Sequence, residues 1–92
     1  MRKRYRSTLG ILFDLLKTID EIEDPIITRL ITYVNVPHNR LKVLLERLLR
    51  EGYIKEQVIK GKKMFFLTKK GRQLLKELKT LKKILAGLGI MF

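Results

Sequence analysis

The stretch VPHNRLKVLLERLLREGYI, residues 36–54, decides the fold of this 92-residue chain. Its leucines recur at the i, i+3, i+4, i+7, i+8 spacing that gathers apolar side chains on one side of an α-helix. They are Leu41, Leu44, Leu45, Leu48 and Leu49. Pro37 suits the first helical turn, where its missing N–H costs nothing, and Gly52 suits the left-handed position after the last turn. We therefore predict a helix over residues 37–51.

The opposite side of this helix is mostly polar and basic. At about 100° per residue, the side chains that point away from the leucines are Asn39, Val43, Glu46, Arg47 and Arg50, with Arg40 and Lys42 at the flanks. Most amphipathic helices only bury one face, so the function of this one depends on its neighbours in the chain.

The net charge of +12 is unevenly distributed along the chain. Residues 1–24 hold five basic and five acidic groups, whereas residues 25–92 hold sixteen basic against four acidic. A field of this sign concentrates polyanions, chiefly nucleic acid, with anionic membranes or acidic proteins as lesser alternatives. The competing interpretation is a lysine-rich surface that only confers solubility.

The composition argues against an enzyme and against a bound cofactor. The chain has no cysteine and only one histidine, His38, so it offers neither a thiolate site nor a histidine pair for a metal. The acidic residues 20–24 read as a solvated loop, with a cation site as the weaker alternative. No stretch approaches the ~20 apolar residues of a membrane span. We expect one cytoplasmic, nucleoid-associated domain over residues 1–92.

The segment before the central helix completes a helix-turn-helix pattern. Residues 2–6 form a basic arm, and an apolar stripe predicts a helix over 7–21, with Ile11 and Leu15 widening the stripe towards a second subunit. After Pro25, residues 26–27 suit a very short strand, Thr28 is the expected N-cap of a helix over 28–34, and Asn35 tolerates a left-handed turn. Two helices joined in this way form a helix-turn-helix.

A β-hairpin is predicted after Gly52. Residues 53–59 and 63–67 are rich in β-branched and aromatic side chains, and Gly61 supplies the positive φ of a tight turn. The hairpin, a wing over residues 53–67, would be tipped by Lys60, Lys62 and Lys63. A hairpin of this size is marginally stable alone, so its apolar residues should pack on the helices.

The last predicted helix spans residues 69–86, capped by Thr68 and ended by Gly87 and Gly89. Its leucines fall on a heptad seam of about two repeats. They are Leu74, Leu78, Leu81, Leu85 and Leu88. The expected fold is mainly α (α+β): a three-helix core, a two-stranded β wing and a long C-terminal helix for dimerisation, with the apolar tail 88–92 also directed at the partner.

Several strings in this sequence resemble those of small archaeal winged-helix proteins. They are TRLITYVNVP at 28–37, the leucines of the central helix, Gly52-Tyr53-Ile54, and Phe65-x-Leu67-Thr68-x-Lys70-Gly71. The layout is also similar to the MarR-like and PadR-like regulators. The resemblance implies a dimer formed by the C-terminal helices in an antiparallel coiled coil, and a central helix that enters the major groove with its N-terminal half leading.

The resemblance and the helix geometry together suggest DNA-contacting residues. The residues expected to contact base edges are Asn39, Arg40, Lys42 and Val43. The residues expected at the phosphate backbone are His38, Arg47, Arg50, Lys60, Lys62, Lys63 and Lys69. Several relatives carry a large aromatic residue at the position of His38, so His38 receives no role in base contact. For each of these residues, the alternative is a solvated surface side chain.

The predicted function is a homodimeric transcription regulator, a repressor, that binds double-stranded DNA, with the helix over 37–51 in the major groove and the wing at the minor groove or the backbone. Two alternatives share the fold: an architectural nucleoid protein with little sequence preference, and a winged helix that binds an acidic protein. A fourth hypothesis places the last helix on an anionic membrane. The expected partners are a DNA duplex and a second copy of the chain, with no membrane and no small-molecule substrate.

Overall fold

A computed structural model of the protein describes residues 7–92. These residues form four helices and one two-stranded antiparallel sheet, which confirms the predicted winged-helix fold. The elements in chain order are α1 Thr8–Glu21, α2 Ile27–Val34, α3 His38–Arg50, β1 Ile54–Ile59, β2 Lys62–Leu67 and α4 Lys69–Gly87. The basic arm expected at 2–6 lies outside the described residues.

One hydrophobic core joins all of these elements. Leu15, Leu16, Leu30 and Leu41 are fully buried at its centre, and the inner residues of the wing and of α4 close it from the other side. Ile11 and Leu15 belong to this core, so the expectation that they face a second subunit was wrong. Helix α1 packs between α2, the wing and α4, so its neighbours bury more of its circumference than a single apolar stripe would cover.

The start of α2 differs from the prediction. The helix begins at Ile27 with Ile26 at the N-cap and no side-chain cap, so Thr28 lies inside the first turn. Residues 26–27 do not form a strand, although the Pro25 carbonyl accepts a hydrogen bond of 3.0 Å from the N–H of Phe65 in β2. Because α2 starts directly afterwards, no extended residues remain to continue that pairing.

Both ends of α3 depend on backbone conformations that the sequence indicated. Asn35 is left-handed, with φ 59° and ψ 54°, and the chain then enters α3 through Pro37, which is the N-cap and not the first helical residue. At the other end Gly52 has φ 80°, and the N–H groups of Gly52 and Tyr53 donate to the Leu49 and Leu48 carbonyls. This pair of bonds is a Schellman motif, which stops the helix and turns the chain into β1.

The wing turn is shorter than predicted. Ile59 pairs with Lys62, so the turn consists of Lys60 and Gly61 alone and Lys62 is the first residue of β2. Lys60 and Gly61 both have positive φ, 50° and 75°, as a type I′ turn requires. The twist of such a turn matches that of the strands, but Lys60 adopts a conformation that lysine disfavours.

A set of close contacts, which we call the α3–α4 junction, explains the Leu-Thr-x-Lys-Gly string. Thr68 Oγ1 accepts a bond from Gly71 N at 3.1 Å, which caps α4, and donates one to the Gly52 carbonyl at 2.6 Å. Thr68 N donates to the Tyr53 carbonyl at 3.1 Å. Lys70 Nζ donates to the Glu51 carbonyl at 2.8 Å and lies 4.4 Å from the centre of the Tyr53 ring. The end of α3, the start of the wing and the start of α4 are therefore held as one block.

The C-terminal end of α4 turns the chain back onto α1. Gly89 has φ 75°, and the N–H groups of Gly89 and Ile90 donate to the Ala86 and Leu85 carbonyls in a second Schellman motif. The Phe92 ring then meets the Phe13 ring edge-on, with 5.6 Å between centroids. Phe92 therefore packs on its own chain and not on a partner, while Ile90 and Met91 remain exposed.

Within residues 7–92, no helix is both long and apolar enough to span a bilayer.

Candidate nucleic-acid interface

The polar side of α3 is open to solvent. The leucines Leu41, Leu45 and Leu48 are buried in the core, which fixes the rotation of the helix. Because a helix advances about 100° per residue, the side chains directly opposite are Asn39, Val43, Glu46 and Arg50, which we call the outer face of α3. All four are exposed. The helix thus presents a polar, convex surface with its N-terminal half unobstructed by described residues.

The flank of the outer face next to α1 carries two arginines. Arg40 and Arg47 lie two turns apart and border a groove of ≈ 280 Å³ together with Thr8 and Ile11 of α1. Both arginines are exposed. Their spacing along the helix suits contacts to a phosphate backbone that runs beside the groove in which α3 would lie.

The other flank faces the wing and mixes both charges. A groove of ≈ 390 Å³ separates α3 from the wing, with His38, Lys42 and Glu46 on one wall and Glu56 and Lys63 on the other. Lys63 Nζ lies 3.9 Å from Glu56 Oε2, and both side chains are largely exposed, so this ion pair contributes little to stability. Lys63 therefore lines the groove, and the tip of the wing carries two lysines, Lys60 and Lys62, where three were expected.

Two features of this surface have no counterpart among the predicted site residues. Glu46 lies on the outer face one heptad after Asn39, where a carboxylate repels phosphates and can accept a hydrogen bond from cytosine N4. The helical spacing in the sequence already placed Glu46 on this side of the helix. Glu46 is nevertheless absent from the expected DNA-contacting residues, because a criterion of positive charge leaves a carboxylate out. Tyr33 of α2 is also exposed, and the first helix of a helix-turn-helix crosses the DNA backbone.

Lys69 and the acidic residues 20–24 lie outside the outer face of α3. Lys69 is exposed at the first turn of α4, beside the α3–α4 junction. Of the acidic residues 20–24, which were expected in a loop, Asp20 and Glu21 belong to the last turn of α1, and Asp24 Oδ2 lies 3.9 Å from Arg29 Nη1. Among the described residues, no group of three or more His, Asp or Glu side chains could hold a metal ion.

The predicted dimer seam on α4 divides into two parts. Leu74 and Leu78 pack against the core of their own chain, and Leu78 is only 6% exposed, so it has little surface left for a partner. Leu85 is half-buried. The apolar side chains that remain exposed are Leu81 (37%), Ile84 (55%) and Leu88 (68%), at the i, i+3, i+7 spacing of one helix face. We call these three residues the apolar stripe of α4; Ile84 was not among the predicted residues.

The family of the chain follows from its sequence. A family model described as winged helix-turn-helix matches residues 5–86. The chain belongs to this family. The winged helix-turn-helix match includes α1–α3, both strands and nearly all of α4, so it covers every surface described above except Leu88 of the apolar stripe.

Solved structures share this winged helix-turn-helix fold. Sso10a-2, a DNA-binding protein from Sulfolobus solfataricus, is 25% identical with a TM-score of 0.76, over 90% of this chain and 85% of that one. F-93 of SSV1 is 22% identical with a TM-score of 0.68, over 96% and 99%. The transcriptional regulator Tm0710 from Thermotoga maritima is 20% identical with a TM-score of 0.67, over 85% of this chain and 61% of that protein. The comparison with curated proteins by sequence found no match.

Proposed function

We propose that this protein is a homodimeric transcription regulator that binds double-stranded DNA and represses by occupying its site. The observation that carries the proposal is the outer face of α3: its polar side chains are exposed because the leucines opposite them anchor the helix in the core. The similarity to Sso10a-2, a DNA-binding protein, and to the regulator Tm0710 supports it.

In the proposed complex α3 lies in the major groove, which is about 12 Å wide and admits a helix. Asn39 can bond adenine N6 and N7, and Arg40 or Lys42 can bond guanine O6 and N7. The methyl groups of Val43 can meet a thymine methyl, and Glu46 can accept from cytosine N4. These groups occupy the N-terminal half and the middle of α3, so their order along the helix would set the order of the bases read.

Contacts to the backbone would set the position of α3 in the groove. Arg47 and Arg50 lie further along the helix, and the two lysines of the wing tip extend away from the body of the domain. The α3–α4 junction holds the wing and α3 in a fixed relation, so contacts made by the wing restrict how α3 can tilt. Such contacts position the protein on DNA without themselves specifying a base sequence.

The proposed dimer forms through the apolar stripe of α4. Three exposed large apolar residues in one row on a helix are a common sign of a missing partner. A second copy packed antiparallel along the stripe would bury all three residues and place two copies of α3 on one assembly. Such a dimer would bind two half-sites, because operator symmetry mirrors protein symmetry.

The DNA-binding proposal is tested by selecting bound duplexes from a random pool. The native protein should enrich one roughly palindromic motif. Asn39→Ala should lose discrimination at one position, by about 1–3 kcal/mol, whereas Lys62→Ala should weaken binding to all sequences and lower the log–log salt slope by about 0.9. Binding without an enriched motif would favour an architectural protein, and a binding constant insensitive to salt would contradict duplex binding altogether.

The dimer proposal is tested by placing one charge on each side of α4. Ile84→Lys introduces an ammonium into the apolar stripe and should shift the sedimenting species from dimer to monomer. Ala86→Lys adds the same charge to the same helix, at an exposed position on its opposite side, and should leave the dimer intact. A native protein that sediments as a monomer, or dimers that both variants retain, would refute this interface.

A further inference from the structure

A hollow lined by lysines lies between α1 and α4, away from every surface discussed so far. Its volume is ≈ 530 Å³, and its walls are Phe13, Lys17, Lys79, Lys82, Lys83 and Ala86. We call it the α1–α4 hollow. No carboxylate lines it, and none of its four lysines forms an ion pair with another described residue. Four lysines thus line one open depression, and no carboxylate belongs to its lining.

The floor of the hollow is closed and ordered by ring contacts. Phe13 is buried beneath it, and the Phe92 ring abuts Phe13 edge-on. The ammonium of Lys82 lies 4.6 Å from the centre of the Phe13 ring, which attracts it through the ring quadrupole. This contact holds Lys82 over the hollow.

The hollow and the outer face of α3 lie on opposite sides of α1. Thr8 and Ile11 border α3, whereas Phe13 and Lys17 border α4. At 100° per residue, the mean directions of these two pairs differ by about 170° around the α1 axis. A straight duplex lying along α3 therefore cannot also reach the hollow.

We propose that the α1–α4 hollow binds the phosphate backbone of a second segment of duplex DNA. Lysine ammonium groups are flexible point charges without the planar fork of arginine, which suits successive phosphates better than one fixed anion. The lining contains no amide, hydroxyl or guanidinium side chain, and we propose that its lysines meet phosphate oxygens and not base edges. Binding at the hollow is therefore independent of base sequence, and it does not require that α3 reads any particular site.

An anionic membrane is the rival partner, and the geometry of α4 disfavours it. A helix lying on a membrane buries its apolar face in the bilayer and keeps its basic residues on the polar face, so a surface on the side opposite the apolar face is turned away from the lipid. Around the α4 axis, Lys79, Lys82 and Lys83 point about 125–175° away from the mean direction of the apolar stripe. Lipid contact at the hollow would therefore leave Leu81, Ile84 and Leu88 facing away from the bilayer. For the same reason, a dimer formed through the stripe would leave the hollow open.

The chain has no cysteine, so an introduced cysteine reports on its own surroundings alone. Ala86→Cys places a thiol in the hollow wall, Val58→Cys places one on the exposed side of the wing, and Thr80→Cys marks α4 outside the hollow. The measurement is the rate of thiol alkylation with and without an excess of random-sequence duplex at low salt. We expect duplex to slow alkylation at Ala86→Cys by about tenfold, because a bound backbone covers the wall, and to leave Thr80→Cys unchanged.

Two triple variants, each of which removes three positive charges, show whether the hollow or the wing causes the protection of each thiol. Lys79→Gln/Lys82→Gln/Lys83→Gln, made in the hollow, should abolish protection at Ala86→Cys and keep it at Val58→Cys. Lys55→Gln/Lys60→Gln/Lys62→Gln, made on the wing, should do the reverse. Circular dichroism spectra that match the native protein would show that both triple variants fold.

The outcomes separate this proposal from the proposed function. Protection at Ala86→Cys without protection at Val58→Cys would support the hollow and count against DNA binding by α3 and the wing. Absence of protection at Ala86→Cys at any duplex concentration would overturn the hollow proposal. Equal losses from both triple variants, or protection by phosphatidylserine vesicles but not by duplex, would overturn it too.

Discussion

Gly71→Ala should damage this protein far more than its single added methyl group suggests. A Cβ built on Gly71 would overlap the carbonyl oxygen of Tyr53, would lie 3.0 Å from the Tyr53 carbonyl carbon and would touch Leu67 Cβ at 3.5 Å. The obstacle is backbone, so no side-chain rotation relieves it. The overlap with the Tyr53 oxygen is the larger of the two, so α4 and the segment around Tyr53 must separate by about 1 Å or more.

The expected cost can be assembled from the contacts that this separation strains. Forced overpacking costs about 1–3 kcal/mol. The bonds from Thr68 to the Gly52 and Tyr53 carbonyls join the same two segments, and each is worth about 1 kcal/mol. Alanine regains about 1 kcal/mol over glycine in a helix. The net loss is about 2–4 kcal/mol, or roughly 10–30 °C in Tm for a domain of this size.

Thermal unfolding followed by circular dichroism, at one fixed protein concentration, measures this loss. Gly87→Ala is the matched control: the same substitution in the same helix, with no atom within 4 Å of the added Cβ and no positive φ. It should leave Tm unchanged or raise it slightly. If Gly71→Ala proved as stable as Gly87→Ala, the steric account of the α3–α4 junction would be refuted.

Three further predictions concern stability. Lys60→Asn should stabilise the wing by up to about 1 kcal/mol, because Asn tolerates positive φ better than Lys, and should lower the salt slope of duplex binding; unchanged urea unfolding would contradict it. Thr68→Ala should lose about 1 kcal/mol or more of unfolding free energy with the cap of α4, whereas Thr68→Ser should restore most of it, and equal stability of the two would refute the cap. Arg29→Ala should change Tm little, since its 3.9 Å ion pair with Asp24 is exposed, and a loss above about 1 kcal/mol would show that the pair was undervalued.

The parts of the fold that the sequence predicted are those fixed by local physics. The leucine spacing determines which side of α3 is buried, and Asn35, Gly52 and Thr68 end or cap helices through their own backbone and side-chain preferences. The start of α2 is an exception, because local preferences do not fix its position. Thr28 is a good capping residue, but α2 begins one residue before it, with Ile26 at the N-cap. Tertiary packing of Ile27 outweighs a single side-chain bond there.

The dimer seam and the hollow show where sequence patterns stop being informative. Leu78 and Ile84 are both large apolar residues on α4, and only the packing of α1 reveals that Leu78 is buried while Ile84 is exposed. The hollow brings Lys17 together with lysines more than sixty positions later in the chain, a proximity that no local spacing encodes. The predicted DNA-contacting side chains are exposed in the structure, and their contacts with DNA stay predictions.

Because of the α3–α4 junction, the length of α4 would set the spacing between the two copies of α3 in the proposed dimer. In the proposed dimer, the α3–α4 junction would hold each α3 rigidly against the first turns of its own α4. The distance between the two copies of α3 would therefore depend on the length of α4 beyond Leu78. Seven residues inserted after Thr80, between Leu78 and the apolar stripe, would keep the helix faces in phase and move the stripe about 10 Å further from α3 in each copy, the rise of roughly three base pairs. The spacing of the two half-sites that the dimer binds could then change while every residue proposed to contact bases stays the same.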